Sequence, residues 1–236
     1  MYIYRRQFIQ FFVGLSLLAP LGQAMQKPIS YHGAGIVPYA VDQNNEVYIL
    51  VGIEPGRGNQ AFDFGGAKDP EDKENPAFTA AREGSEELLF LYDENDQDFR
   101  RLLNLHRAHG KAFNLYRARS RTYERILDKI RDRDTSFQSF SGGYVTHFVK
   151  ISFRTHVPQL FKQRYQQYAG RLPYCWAEKS HLVWLKLKDV VNALGQSKDL
   201  HNIFVPTNQG RQVHIFYPFA QSLKTADQNG TLKLLK

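Results

Sequence analysis

Apolar and polar positions along the chain change period several times, and each change marks an element. Residues 34–41 (AGIVPYAV) and 46–53 (EVYILVGI) are unbroken β-branched and aromatic runs. DQNN between them supplies turn chemistry, so the pair predicts a β-hairpin. A third short run, AFDF at 61–64, leads into Gly65-Gly66. The period then moves from two to about 3.6. Asn75 is a good N-cap and Pro76 suits the first helical position. The segment AFTAAREGSEELLFL that follows carries no breaker stronger than Gly84, which weakens a helix by up to ~1 kcal/mol relative to alanine. A loop therefore feeds a helix that is expected to run on into FLYD.

Residues 92–141 are polar and basic and predict a helical insertion. Its clearest part places Tyr123, Ile126, Leu127 and Ile130 at i, i+3, i+4 and i+7 behind Ser120 as a cap. Beyond it, YVTHFVKISF predicts a strand. A helix begins near Pro158, with Phe161, Tyr165 and Tyr168 on one face, and stops at Gly170. HLVWLKL reads as a strand, KDVVNAL as a short helix, and QVHIFYPF as a last strand before a polar tail. This order describes a mixed sheet with helices on its faces, of α/β (α+β) class. No internal repeat or low-complexity linker divides residues 25–236, which are expected to form one domain.

With 42% apolar and 14% aromatic residues among 236, the chain is globular in composition and far from the disordered class. The first 24 residues stand apart. Arg5 and Arg6, an apolar run from Phe8 to Leu18, and small residues at Gly22 and Ala24 have the layout of a secretory signal peptide cut after Ala24. Arg5-Arg6 followed by Gln-Phe-Ile also resembles a twin-arginine signal. The run is short and broken by Gln10 and Pro20, so the expectation is an exported protein, periplasmic or secreted, with no membrane span after cleavage. Losing that segment removes two arginines and no acid, which lowers the net charge from +8 to +6. Cys175 is the one cysteine, so no internal disulfide forms, and it reads as a small buried hydrophobe beside Trp176.

In this basic chain the helix after Asn75 gathers carboxylates. Glu83, Glu86 and Glu87 sit at i, i+3 and i+4 and project from one face. Like charges at those spacings cost about 0.2–0.5 kcal/mol per pair, and the C-terminal half of a helix is the wrong end of its dipole for anions. Arg82 offsets one acid. A divalent cation would offset the rest, and clustered carboxylate oxygens suit Mg²⁺ or Mn²⁺, with remaining positions left to water and substrate phosphates. Gly65-Gly66 let backbone approach a ligand closely just before that face.

Gly66, Glu74, then Arg82-Glu83 after seven residues, then Glu86-Glu87 resemble the Nudix box: a glycine, a spacer, a glutamate, seven residues, Arg-Glu, two residues and Glu-Glu. The resemblance implies a Nudix-like α/β/α sandwich. It also implies a metal-dependent pyrophosphatase, a hydrolase that cleaves a diphosphate linkage in a substrate of the nucleoside diphosphate-X type. Glu83, Glu86 and Glu87, with a carbonyl of Gly65 or Gly66, would then hold Mg²⁺ or Mn²⁺. Arg82 would orient a box glutamate, and Glu74 would fasten the loop to the helix. The general base falls to Glu83, with Glu178 in WAEKSH as the alternative. Three positions depart from the common pattern: the spacer from Gly66 to Glu74 has seven residues in place of five, Gly84 replaces an aliphatic residue, and Leu89 replaces a glycine.

Substrate identity is less legible. Between Arg100 and Arg133 eleven Lys or Arg stand against three acids, a patch suited to polyphosphate, nucleic acid or an anionic surface. Phe113, Tyr116 and Tyr123 among them are candidates for stacking on bases, or equally for a core seam behind an exposed basic face. His106 and His109 are too isolated for a metal site. A small phosphorylated substrate is the expected partner, with nucleic acid second. The rival to catalysis is a non-catalytic module on the same scaffold that binds nucleic acid or a protein through the basic insertion.

Overall fold

The structure, a computed structural model, describes residues 30–91 and 95–236; the signal-like segment at 1–24 and residues 92–94 lie outside the described residues. β1 (Gly33–Val41) and β2 (Val47–Glu54) form the expected hairpin, with Tyr39 opposite Ile49. Its turn is held by the Asp42 carboxylate, which accepts from the backbone N–H of Asn44 (2.8 Å) and of Glu46 (2.9 Å). The AFDF run splits at Asp63. β3 (Gln60–Phe62) pairs with β2, and β4 (Phe64–Ala67) crosses over to pair with β1. The acidic helix α1 (Pro76–Glu87) follows, then α2 (Asp96–His109), α3 (Arg121–Arg131) and a hairpin of β5 (Ser136–Ser141) and β6 (Tyr144–Lys150). Next come α4 (Val157–Gln167), β7 (His181–Lys186) and α5 (Leu187–Gln196). β8 (Phe204–Pro206) and β9 (Gln212–His214) make a separate small sheet before α6 (Tyr217–Gln228).

The main sheet runs β3-β2-β1-β6-β5, with β4 also on β1 and β7 on β2, and only the β1–β6 pair is parallel. Successive residues of a strand face opposite sides, and here both sides are covered. Ile36, Tyr48, Leu50 and Trp184 pack with residues of α1, α2, α3 and α4, whereas Val37, Ile49, Val51 and Leu185 pack with residues of α5 and α6. That double burial is why β1 and β2 read as unbroken apolar runs instead of alternating ones. The result is the mixed-sheet α/β/α sandwich expected from the element order.

Four elements differ from expectation. First, the acidic helix stops at Glu87 and does not continue into FLYD. Leu89 and Phe90 take left-handed conformations (φ 49° and 56°), with both side chains fully buried. Left-handed backbone costs about 1–2 kcal/mol per residue. Phe90 recovers this by packing edge-on against Trp176 at 4.8 Å, and Arg164 Nη1 donates to the Leu89 carbonyl at 2.7 Å. Second, the section at 92–141 is helical only in part, because Ser136–Ser141 forms β5. SFQSFS carries little strand signal of its own; its partner β6 across Gly142-Gly143 supplies the ladder. Third, QVHIFYPF is strand only at Gln212–His214. Fourth, the polar tail is α6, whose Phe219, Ala220, Leu223 and Ala226 close the second face of the sheet. Pro218 near the start of α6 fits the first turn of a helix better than a strand interior.

Gly84 is where propensity and packing conflict. A β-carbon there would stand 2.6 Å from Cδ1 and 2.8 Å from Cγ1 of Ile36, a core residue 1% exposed. Alanine adds helix propensity but overpacks the α1–β1 contact, so Gly84→Ala should destabilise by ~1–3 kcal/mol. Urea unfolding checks this; a stabilised variant would show that Ile36 is free to move.

Candidate active site

The site forms where the chain crosses from β2 to β1. β3 and β4 are nearly continuous, yet they pair with different neighbours, and the step at Asp63 leaves a gap between strand ends. Backbone is packed closely there. A β-carbon on Gly35 would lie 2.8 Å from the Gly65 α-carbon, and one on Gly65 would collide with the Tyr144 hydroxyl. Tyr144 crosses this glycine floor and donates to Asp63 Oδ2 at 2.9 Å. Burial, then the neighbouring Asp63, raises the Tyr144 pKa well above its ordinary value, so it stays a donor. A cavity of about 520 Å³ opens over Gly65 and Gly66, with Glu54, Glu178, Arg57 and Phe216 in its walls.

α1 brings its carboxylates to this gap. Asn75 caps the helix by accepting from the Ala77 N–H at 3.0 Å, and Pro76 takes the first turn. Glu83 lies under Gly66: a β-carbon at Gly66 would stand 2.6 Å from Glu83 Oε1. The same oxygen accepts from Arg82 Nη1 at 2.6 Å. Glu86 is buried, and Glu87 is 1% exposed. Oxygens of Glu87, Glu54 and Glu178 converge within 4.8 Å of one another, an arrangement able to hold a metal ion. Glu87 Oε1 pairs with Lys179 Nζ at 3.0 Å, whereas the buried Oε2 has no hydrogen-bond partner. A buried carboxylate oxygen left unsatisfied is costly, and an oxygen-loving divalent cation would satisfy it, so the donor set fits Mg²⁺ or Mn²⁺.

Electrostatics agree with the geometry. Burial first, and then the Glu83 charge, push Glu86 up to about 8. Burial also lifts Glu87 well above the usual carboxylate range, against the pull of Lys179, and raises Glu83 and Glu178. Asp63 is pushed by burial up to about 6. For Arg82, burial works against the charge, but Glu83 and Asp72 outweigh it and raise the pKa. A group of acids that hold their protons this tightly is short of positive charge. Cys175, expected to be buried, is half-buried at the rim of the core; burial, then Glu86 and Glu83, push its thiol up to about 12, which keeps it neutral.

Sequence reasoning placed Glu83, Glu86, Glu87, Arg82, Gly65 and Gly66 here, and the fold brings them together. The tight oxygen set itself is a different selection: Glu87 from α1, with Glu54 at the end of β2 and Glu178 from the segment before β7. Glu54 had one faint signal, an acid closing the apolar run VYILVGI; Lys179 had none. The role expected of Glu74 falls to Asp72. Glu74 points outward to Lys68 at 2.6 Å, with 75% of its side chain exposed. Asp72 is buried and accepts from Thr79 Oγ1 (2.8 Å), the Asp69 N–H (2.8 Å) and Arg82 Nε and Nη2 (3.3 and 3.1 Å), which ties the loop to α1. In the basic section Tyr123 is core, Phe113 packs on Trp176 at 6.0 Å, and Tyr116 is exposed. Several of its arginines bind the protein itself: Arg100 pairs with Asp96 at 2.7 Å, and Arg101 and Arg107 donate to backbone carbonyls.

No protein-family model matches the sequence, and no curated protein matches it. Among solved structures, the chain is similar to a Nudix hydrolase from M. smegmatis, RenU, at 12% identity and a TM-score of 0.37, covering 86% of this chain and 87% of that one. It is also similar to a NUDIX hydrolase from Alicyclobacillus acidocaldarius, at 17% identity and a TM-score of 0.41, covering 90% of this chain and 98% of that one.

Two outcomes are expected. Asp72→Ala should cost ~1–3 kcal/mol by taking the acceptor from Thr79, the Asp69 N–H and one side of Arg82, while Glu74→Ala should stay within ~1 kcal/mol; urea melts of the two variants check the reassignment. The pH dependence has a definite sign. Glu86 and Asp63 bind their protons more tightly folded than unfolded. Their stabilisation is therefore present at low pH and lost as pH rises from 4.5 through about 8 for Glu86 and from 3.8 through about 6 for Asp63. In chelator, Tm should fall between about pH 5 and 8, and fall less in Glu86→Gln. A flat or rising Tm would contradict the burial of these acids.

Proposed function

We propose that the protein is a Nudix-type hydrolase that cleaves a diphosphate linkage in a nucleoside diphosphate-X type substrate and depends on Mg²⁺ or Mn²⁺. The observation that carries the reading is the buried Glu87 carboxylate, with one oxygen unpartnered, converging with Glu54 and Glu178 at the edge of a cavity floored by Gly65 and Gly66. The box resemblance from Gly66 to Glu87 points the same way.

Glu87 and Glu54 would hold the cation, with Glu83 and Glu86 on the same face of α1 beside them. When bound, such an ion neutralises diphosphate oxygens and acidifies water. The chain's own residues do the rest. Gly65 and Gly66 let the diphosphate lie close to backbone, because neither presents a side chain to the cavity. Arg82, anchored on Asp72, keeps Glu83 under Gly66. Glu83 is thereby engaged, so the proton of the attacking water goes to a carboxylate oxygen of Glu178, which is half-buried and lines the cavity. Burial raises the Glu178 pKa and makes it a better acceptor than a solvated glutamate. The signal-like layout of the first 24 residues supports export of this activity from the cytoplasm. Among the described residues no helix is long and apolar enough to cross a membrane.

The test is release of phosphate or nucleoside monophosphate by residues 25–236 with Mg²⁺ or Mn²⁺. The substrate panel is nucleoside diphosphate sugars, ADP-ribose, dinucleoside polyphosphates, coenzyme A, NADH and capped RNA. At least one substrate should turn over, and Glu87→Gln should lower its turnover by roughly 100-fold with circular dichroism unchanged. Silence across the panel, or full activity in Glu87→Gln, would refute the reading.

A further inference from the structure

Lys179 is the most deeply buried cation at the site, and nothing in the box motif accounts for it. Its side chain is 1% exposed and pairs with both Glu54 and Glu87 Oε1, the latter at 3.0 Å. The stem lies across β2 at Gly52, where a β-carbon would stand 2.7 Å from both Cγ and Cδ of Lys179. The ammonium also lies over the Phe62 ring, 4.9 Å from its centroid. Glycine below, an aromatic ring beside it and two carboxylates at its head leave the group one position. It is built into the fold.

We propose that Lys179 is a resident cation of the acid cluster, which limits the cluster to one divalent ion where its three carboxylates would otherwise draw two. The inference rests on the metal-dependent reading above. Once a bound ion displaces their protons, the three converging carboxylates, Glu54, Glu87 and Glu178, carry three negative charges, and one ammonium plus one divalent ion balances them. Without the ammonium a single divalent ion leaves one charge over. Of the neighbouring charges, Glu83 and Asp72 share Arg82, burial holds the Glu86 proton up to about 8, and Arg57, 3.4 Å from Glu54, has a side chain 60% exposed and is screened by water. The hydrogen bonds agree: Oε1 of Glu87 is already engaged by Lys179, and the unpartnered Oε2 is the oxygen that would be offered to the metal. Lys179 is thus a positioning residue that assigns the two oxygens of Glu87 to different cations.

Counting tightly bound Mn²⁺ by electron paramagnetic resonance on the full chain, without substrate, tests this in wild type, Lys179→Arg and Lys179→Met. One Mn²⁺ is expected in wild type and in Lys179→Arg, and two in Lys179→Met, whose Tm should also rise more on adding Mn²⁺. Two or more tight ions in wild type, or an unchanged count in Lys179→Met, would overturn the proposal. If Lys179→Met unfolds in chelator, Mn²⁺ should restore its fold; failure to do so also counts against the proposal. The counts do not depend on turnover. An inactive wild type with one ion and a Lys179→Met with two would sink the hydrolase and keep Lys179, whereas an active wild type with two ions would do the reverse. Absence of Mn²⁺ from every variant overturns both.

Discussion

Carboxylates removed from water are the constraint on which the structure turns. Glu86, Glu87 and Asp63 are all nearly inaccessible, and an ionised carboxylate in such surroundings is unfavourable unless countercharge or donors lie within reach. The fold answers each in a different way. Asp63 receives the Tyr144 hydroxyl, Glu87 receives Lys179, Glu83 receives Arg82, and Glu86 has its pKa lifted until its proton is hard to lose. One buried acceptor is left without a donor, Glu87 Oε2, beside Glu54 and Glu178, which line the cavity.

Close approach of the surrounding elements makes this possible, and glycines permit the approach. At Gly35 and Gly65 two strands meet under Tyr144; at Gly66 the strand rests on Glu83; at Gly52 it makes room for Lys179; at Gly84 the helix settles on Ile36. Each missing side chain brings a functional group nearer to the step at Asp63, so strand crossing and acid cluster are one construction. The left-handed turn at Leu89 and Phe90 belongs to it as well, since ending α1 immediately after Glu87 holds the last turn, and its carboxylates, in register with β2 and the segment before β7.

Much of this is legible in the sequence. Continuous apolar runs at 34–41 and 46–53 are possible only for strands covered on both faces, and the spacing of Glu83, Glu86 and Glu87 puts them on one helical face whatever surrounds it. Asn75 and Pro76 start α1 by local chemistry alone. These are short-range properties, set by backbone geometry and by hydrogen bonds between near neighbours.

What lies across the sheet belongs to the tertiary structure. Glu54 and Glu178 join Glu87 from segments 33 and 91 residues away, a convergence that no spacing rule encodes. Asp72 displaces Glu74 as the loop anchor because the loop turns through a short 3-10 segment that buries one acid and exposes the other. β5 exists because β6 offers it a ladder, and the polar tail becomes α6 because an apolar sheet face needed covering. The sequence by itself determined the hairpin, the acidic helix and the kind of chemistry its carboxylates invite. Only the folded chain decided which oxygens meet, and that Lys179 stands among them, because burial and long-range contact set the energies of those charges.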